Sequence, residues 1–147
     1  MTGVLHVCRS CQGCEAVRRV AGATASTELF EAITAMVRHI PDPTAFGVAA
    51  QECLGPCGAG VRIALTGTGR WGWLFQGLQP GADLEALASF LLSWCATPDG
   101  LPDKPQRPAR LLRKTAGRLP PSGSNARSAC SFAADKGGNH VKEHRAR

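Results

Sequence analysis

The sequence predicts an α/β domain in which a β-α-β unit is followed by a β-hairpin and a C-terminal helix. Two observations lead there. Across residues 1 to 100 the apolar pattern switches between short extended runs and longer helical periods, with glycine and proline clusters between them. The 147 residues are 44% hydrophobic, which suffices for one core of ordinary size and not for two.

VLHV (4–7) is a short strand that runs straight into Cys8. After a polar loop, Leu29, Ile33, Met36, Val37 and Ile40 recur at helical spacing, with Ser26 or Thr27 placed to cap the helix and Pro41 and Pro43 to end it. FGVAAQE (46–52) reads as a second strand that delivers Cys53. VRIAL (61–65) alternates apolar and polar residues, TGTG turns the chain, and RWGWLF (70–75) returns as its hairpin partner. Past Pro80 and Gly81, Asp83 is placed to cap a second helix with Leu84, Leu87, Ala88, Leu91 and Trp94 on one face, ending before TPDG. The order is β, α, β, β, β, α, with no internal repeat. A right-handed β-α-β unit makes its two strands parallel. Cys8 and Cys53, 45 residues apart, follow the C-terminal ends of those strands and so emerge at one edge of the sheet.

The net charge of +6 divides unevenly along the chain. Residues 1–100 carry 6 Lys and Arg against 8 Asp and Glu, whereas residues 101–147 carry 11 against 3. The organisation expected is one folded domain at 1–100, an extension at 101–121 packing on it, and a basic disordered tail at 122–147. Nucleic-acid or membrane-surface binding by that tail has only charge behind it; folding back over the net-negative domain, or guiding docking to an acidic partner, are the other uses its charge allows. No run approaches the roughly 18 apolar residues of a membrane span, and MTGVLHVC lacks the marks of a secretory signal, so a cytoplasmic location is expected.

Seven cysteines cannot all pair within one chain. In a reducing compartment clustered thiols point to metal or redox chemistry. Cys8, Cys11 and Cys14 in VCRSCQGCE and Cys53 and Cys57 in ECLGPCGAG converge on one loop region, while Cys95 reads as core and Cys130 as a spare tail thiol. Four thiolates from two separate segments suit zinc or an iron–sulfur cluster. Gly55, Gly58 and Gly60 let backbone N–H groups approach sulfur, and Pro56 stiffens the loop. A thiol-disulfide oxidoreductase is the rival, because CRSC and CQGC are both C-x-x-C. Against it, the first helix starts about a dozen residues after Cys14, so its dipole is expected away from the thiols, and no proline precedes VRIAL. Zinc or cobalt is the other alternative, for a protein that stores, senses or delivers metal.

VCRSC, ECLGPCGAGVRIAL, GRWGWLF, GLQPGADLEALASFL, TPDGL and RPARLLRKTAGRLPP resemble the DUF1636 family of predicted metal-binding proteins over roughly residues 3–121. The thiol-rich loop after strand one, then CLGPCG, a hairpin and a helix are also similar to thioredoxin-like [2Fe–2S] ferredoxins. The resemblance implies a thioredoxin-like ferredoxin fold and a [2Fe–2S] cluster or another metal held by Cys8, Cys11, Cys53 and Cys57. Related ferredoxins separate their first two ligands by more than two residues, so Cys14 competes with Cys11 for the fourth position. The resemblance implies no established reaction; the function expected from the site is a one-electron carrier without a substrate site of its own, with a redox protein as partner and a homodimer left open.

The other groups have plainer readings. His140 and His144 in NHVKEH sit in the glycine-rich tail and read as solvated. Trp71 and Trp73 share a strand face and read as core or interface residues, and His6 as a satisfied sheet residue. No Ser/His/Asp set, paired carboxylates or phosphate-binding glycine loop is visible.

Overall fold

A computed structural model describes residues 2–9, 25–55 and 60–122. In chain order these form β1 (Gly3–Cys8), α1 (Ala25–His39), a 3₁₀ turn at Pro43–Ala45, β2 (Phe46–Gln51), β3 (Arg62–Thr66), β4 (Gly72–Gln76), α2 (Ala82–Ala96), a second 3₁₀ turn at Lys104–Gln106, α3 (Ala109–Leu112) and β5 (Thr115–Leu119). Among them no helix is long and apolar enough to cross a membrane. The five strands make one sheet in the order β2-β1-β3-β4-β5. β1 and β2 are parallel, from Gly3 opposite Phe46 to Cys8 opposite Gln51. The remaining pairs are antiparallel.

One face of the sheet is covered by α1 and α2. Leu5, Val7, Ile63, Leu65, Trp73 and Phe75 from the strands and Leu29, Ile33, Leu87, Phe90, Leu91 and Trp94 from the helices are all almost fully buried. Phe90 meets Trp73 and Phe75 edge-on, at ring centroid distances of 5.0 and 5.6 Å. Both buried indoles find acceptors, Trp73 Nε1 donating to the Gly100 carbonyl and Trp94 Nε1 to the Trp71 carbonyl, each at 2.9 Å. Burying an indole without such a partner is costly, so these bonds fix where the chain after α2 must run.

Three local expectations need correction. α1 begins at Ala25, so Ser26 and Thr27 lie inside its first turn and do not cap it. β4 starts at Gly72 and not at Arg70, because the Arg70 guanidinium turns away to the carbonyls of Trp94 and Thr97 at the end of α2, at 2.7 and 2.6 Å. There it satisfies helix-terminal acceptors with a positive charge. Asp83 does not cap α2 either. The capping residue is Gly81, at φ +94°, a backbone state that glycine tolerates best.

Asp83 has a larger role. Its side chain is 1% exposed, accepts from the Gln79 N–H at 2.8 Å, and pairs with Arg110 and with Lys114 at 3.1 Å. Lys114 also donates to the Gly77 carbonyl, and its own carbonyl accepts from Gln76 N–H at 2.9 Å. These contacts tie α3 and β5 to α2 and β4. The order read from the sequence lacks α3 and β5, because TAGRL has no apolar alternation and lies at the sheet edge with little to bury.

Burial opposes ionisation of Asp83, but the Gln79 N–H, Lys114 and Arg110 together hold its carboxyl below the usual carboxylate range. With the folded pKa lowered, the stabilisation is full above about pH 4 and fades as pH falls through the folded value. Asp83→Asn is expected to cost about 2 kcal/mol at neutral pH in denaturant melts. Breaking a fully buried pair costs roughly 3–5 kcal/mol, and the half-exposed Arg110 can return to water here, which lowers the figure. The variant's stability also falls less than wild type between about pH 5 and 2.

Candidate functional site

The register brings two of the five clustered cysteines to one place. Cys8 ends β1 and Cys53 follows β2 by two residues, on neighbouring parallel strands. The Arg9 N–H continues the ladder to the Gln51 carbonyl at 2.7 Å, so the chain is still paired where the thiols leave the sheet. Cys8 is 1% exposed, and its sulfur lies 3.8 Å from the Glu52 carbonyl, the residue adjoining Cys53. Cys53 is exposed.

The loop after β2 bends toward that second sulfur. The Gly55 N–H points at the Cys53 sulfur at 3.4 Å, with Gly55 at φ +111°. Nothing lies within 4 Å of where a Gly55 side chain would begin, so glycine is needed for its backbone angle and not for space. An amide aimed at sulfur stabilises thiolate and tunes whatever the thiolate binds. Gly60, at φ +94°, is tight in space as well: a Cβ there would come within 2.9 Å of the Gly77 Cα. Gly55→Ala is expected to strain this turn by about 1–3 kcal/mol and to speed metal loss to a chelator several-fold. Unchanged release would separate the turn from the site.

Cys8 also opens onto a cleft of about 380 Å³, lined among the described residues by Val7, Arg9, Ser26, Thr27, Phe30 and Ala50. Ser26 and Thr27 belong to the first turn of α1. Against the expectation that this helix end lies away from the thiols, the first turn of α1 and Cys8 line the same cleft. The positive end of the dipole and Arg9 both favour negative charge there.

Cys11, Cys14 and Cys57 lie outside the described residues, as do Cys130, His140 and His144. Among the described residues no three His, Cys, Asp or Glu side chains come together. The donors that are described are two thiols at adjacent strand ends with an amide on one sulfur, and thiolates are soft donors of the kind that iron–sulfur and zinc sites use. Cys95 stands apart. It packs partly buried in α2 beside Trp94, which lies against Gly3 and Gly67 at the far end of the sheet. Burial pushes its thiol pKa up, with the Arg70 charge acting against that. His6 bonds to Thr66 Oγ1 at 3.0 Å across β1 and β3. Trp73 is buried, and the Arg107 and Arg118 guanidinium groups lie over its ring at 5.2 and 5.5 Å. The sequence reading placed Trp73 in the core and missed both arginines, for which only their crowding in RPARLLRKTAGR gives a signal.

Comparison with curated proteins and with solved structures returns no match. Residues 5–121 match the family described as a protein of unknown function, DUF1636, a span that takes in both cysteine-bearing stretches and, among the described residues, all strands and helices but for the first two residues of β1; the chain belongs to that family.

Proposed function

We propose that this chain is a [2Fe–2S] ferredoxin-like electron carrier with a thioredoxin-like ferredoxin fold. Its ligands are Cys8, Cys53, Cys57 and one of Cys11 and Cys14. The observation that carries the reading is the convergence of Cys8 and Cys53 on adjacent parallel strand ends, with the Gly55 amide on the second sulfur. A parallel β-α-β pair, an antiparallel hairpin beside its first strand and a second helix packed next to the first support the fold assignment.

A cluster of this kind, when bound, takes up and releases one electron. The chain's own contribution is to hold thiolates and exclude water. Cys8, at 1% exposure, keeps its side of the site dry, while the exposed Cys53 marks the side from which a partner approaches. Arg9 and the start of α1 offset the negative charge of four thiolates. The same helix end would favour a thiolate in a zinc site or a redox thiol, so it does not separate the three chemistries. The missing proline before β3 still counts against a thiol-disulfide oxidoreductase.

Optical titration tests the reading. Protein purified without added metal absorbs in the visible and bleaches on uptake of about one electron per chain. A colourless protein loaded with zinc after anaerobic preparation replaces the electron carrier with a metal-storage, sensing or delivery protein.

A further inference from the structure

Of the 11 Lys and Arg in residues 101–147, 6 lie at 104–118, in a stretch with no Asp or Glu. They belong to the body and not to a tail, since β5 pairs with β4 in the sheet and α3 packs against α2. Asp83 pairs with both Arg110 and Lys114, which leaves the trio one positive charge. Lys104, Arg113 and Arg118 are exposed, and no carboxylate pairs with them among the described residues. Arg107 and Arg118 are held over one indole ring despite their like charge. Among the described residues three large apolar side chains are exposed, and two of them, Leu112 at 43% and Leu119 at 40%, lie in this same segment.

We propose that α3 and edge strand β5 form a docking surface for an acidic protein, one that sets carboxylates around a small apolar contact. Unpaired cations interleaved with exposed leucines match the polar rim and apolar centre of a protein interface. Phosphate backbones have no use for the leucines, and the one aromatic ring beneath the cations, Trp73, is too buried to stack a base. A second copy joining through β5 would set Arg113, Lys114 and Arg118 against their own images, and charged edges of this kind suppress self-pairing. Position adds to the argument. β5 starts at the sheet end where β1 finishes, three strands from Cys8, or roughly 14 Å at the usual strand spacing. That the docked partner exchanges electrons rests on the cluster reading; the docking itself does not.

The test uses full-length protein and two fluorescent probes: an acidic peptide of alternating Glu and Leu, and a single-stranded RNA of equal charge. Anisotropy titrations compare wild type with Arg113→Glu/Arg118→Glu, with Leu112→Ser/Leu119→Ser, and with Lys136→Glu/Arg145→Glu, which makes the same charge change in the C-terminal 25 residues. At low salt the arginine variant weakens peptide binding about tenfold, the leucine variant about threefold, and the C-terminal variant less than about twofold. Arg113→Glu alone repeats the comparison without touching the Trp73 contact. Equal losses in the arginine and C-terminal variants, or RNA binding tighter than the peptide, overturn the proposal. Metal content and visible spectrum recorded on every variant keep the two readings apart, because a zinc-loaded protein that still shows the peptide pattern loses the cluster and keeps the docking surface.

Discussion

If the chain holds the proposed cluster, Cys8→Ser, Cys53→Ser and Cys57→Ser are each expected to lose most of its iron, more than about tenfold per chain after desalting. The expectation is strongest at Cys8. Its buried sulfur is fixed at a strand end, and no other described thiol can take its place, since Cys95 sits by Trp94 at the opposite end of the sheet. A serine there offers a hard oxygen at a site whose chemistry calls for soft sulfur. Cys53 is exposed, but the Gly55 amide that faces its sulfur holds it in a defined place. Cys57 follows it by four positions, and their stretch holds no third thiol to stand in for either. Iron retained at the wild-type level in Cys53→Ser or Cys57→Ser sinks this ligand set.

The fourth position behaves differently, and the double variant Cys11→Ser/Cys14→Ser carries the second large effect. These two cysteines are only three positions apart. Each single variant keeps a cluster through the other thiol, with a shifted visible spectrum for the one that is the native ligand. The double variant has no such reserve and loses its iron to the same extent as Cys8→Ser. A normal cluster in the double variant means that another group supplies the fourth ligand, and the remote position of Cys95 directs that search elsewhere.

Much of the fold was legible because its elements bury one face. Leu5 and Val7, Ile63 and Leu65, and the helical periods from Leu29 to Ile40 and from Leu84 to Trp94 all carry their period in the sequence, and all pack in one core. α3 and β5 were not legible, since an edge strand such as TAGRL is held by backbone pairing and by a salt bridge to a distant aspartate. Asp83 shows the same limit. Its sequence context is that of a helix cap, and only the return of residues 110 and 114 to its carboxylate reveals a buried anchor. At the site, strand parity was enough to bring Cys8 and Cys53 together. That the start of α1 lines the same cleft as Cys8 is a long-range feature of the fold, which local pattern does not encode.

The central claim is that the thiols hold a [2Fe–2S] cluster, and metal analysis of the wild-type chain tests it most directly. Iron, zinc and acid-labile sulfide are measured together on protein purified anaerobically without added metal. The account predicts about two iron and two sulfide per chain. One zinc per chain with no sulfide contradicts it.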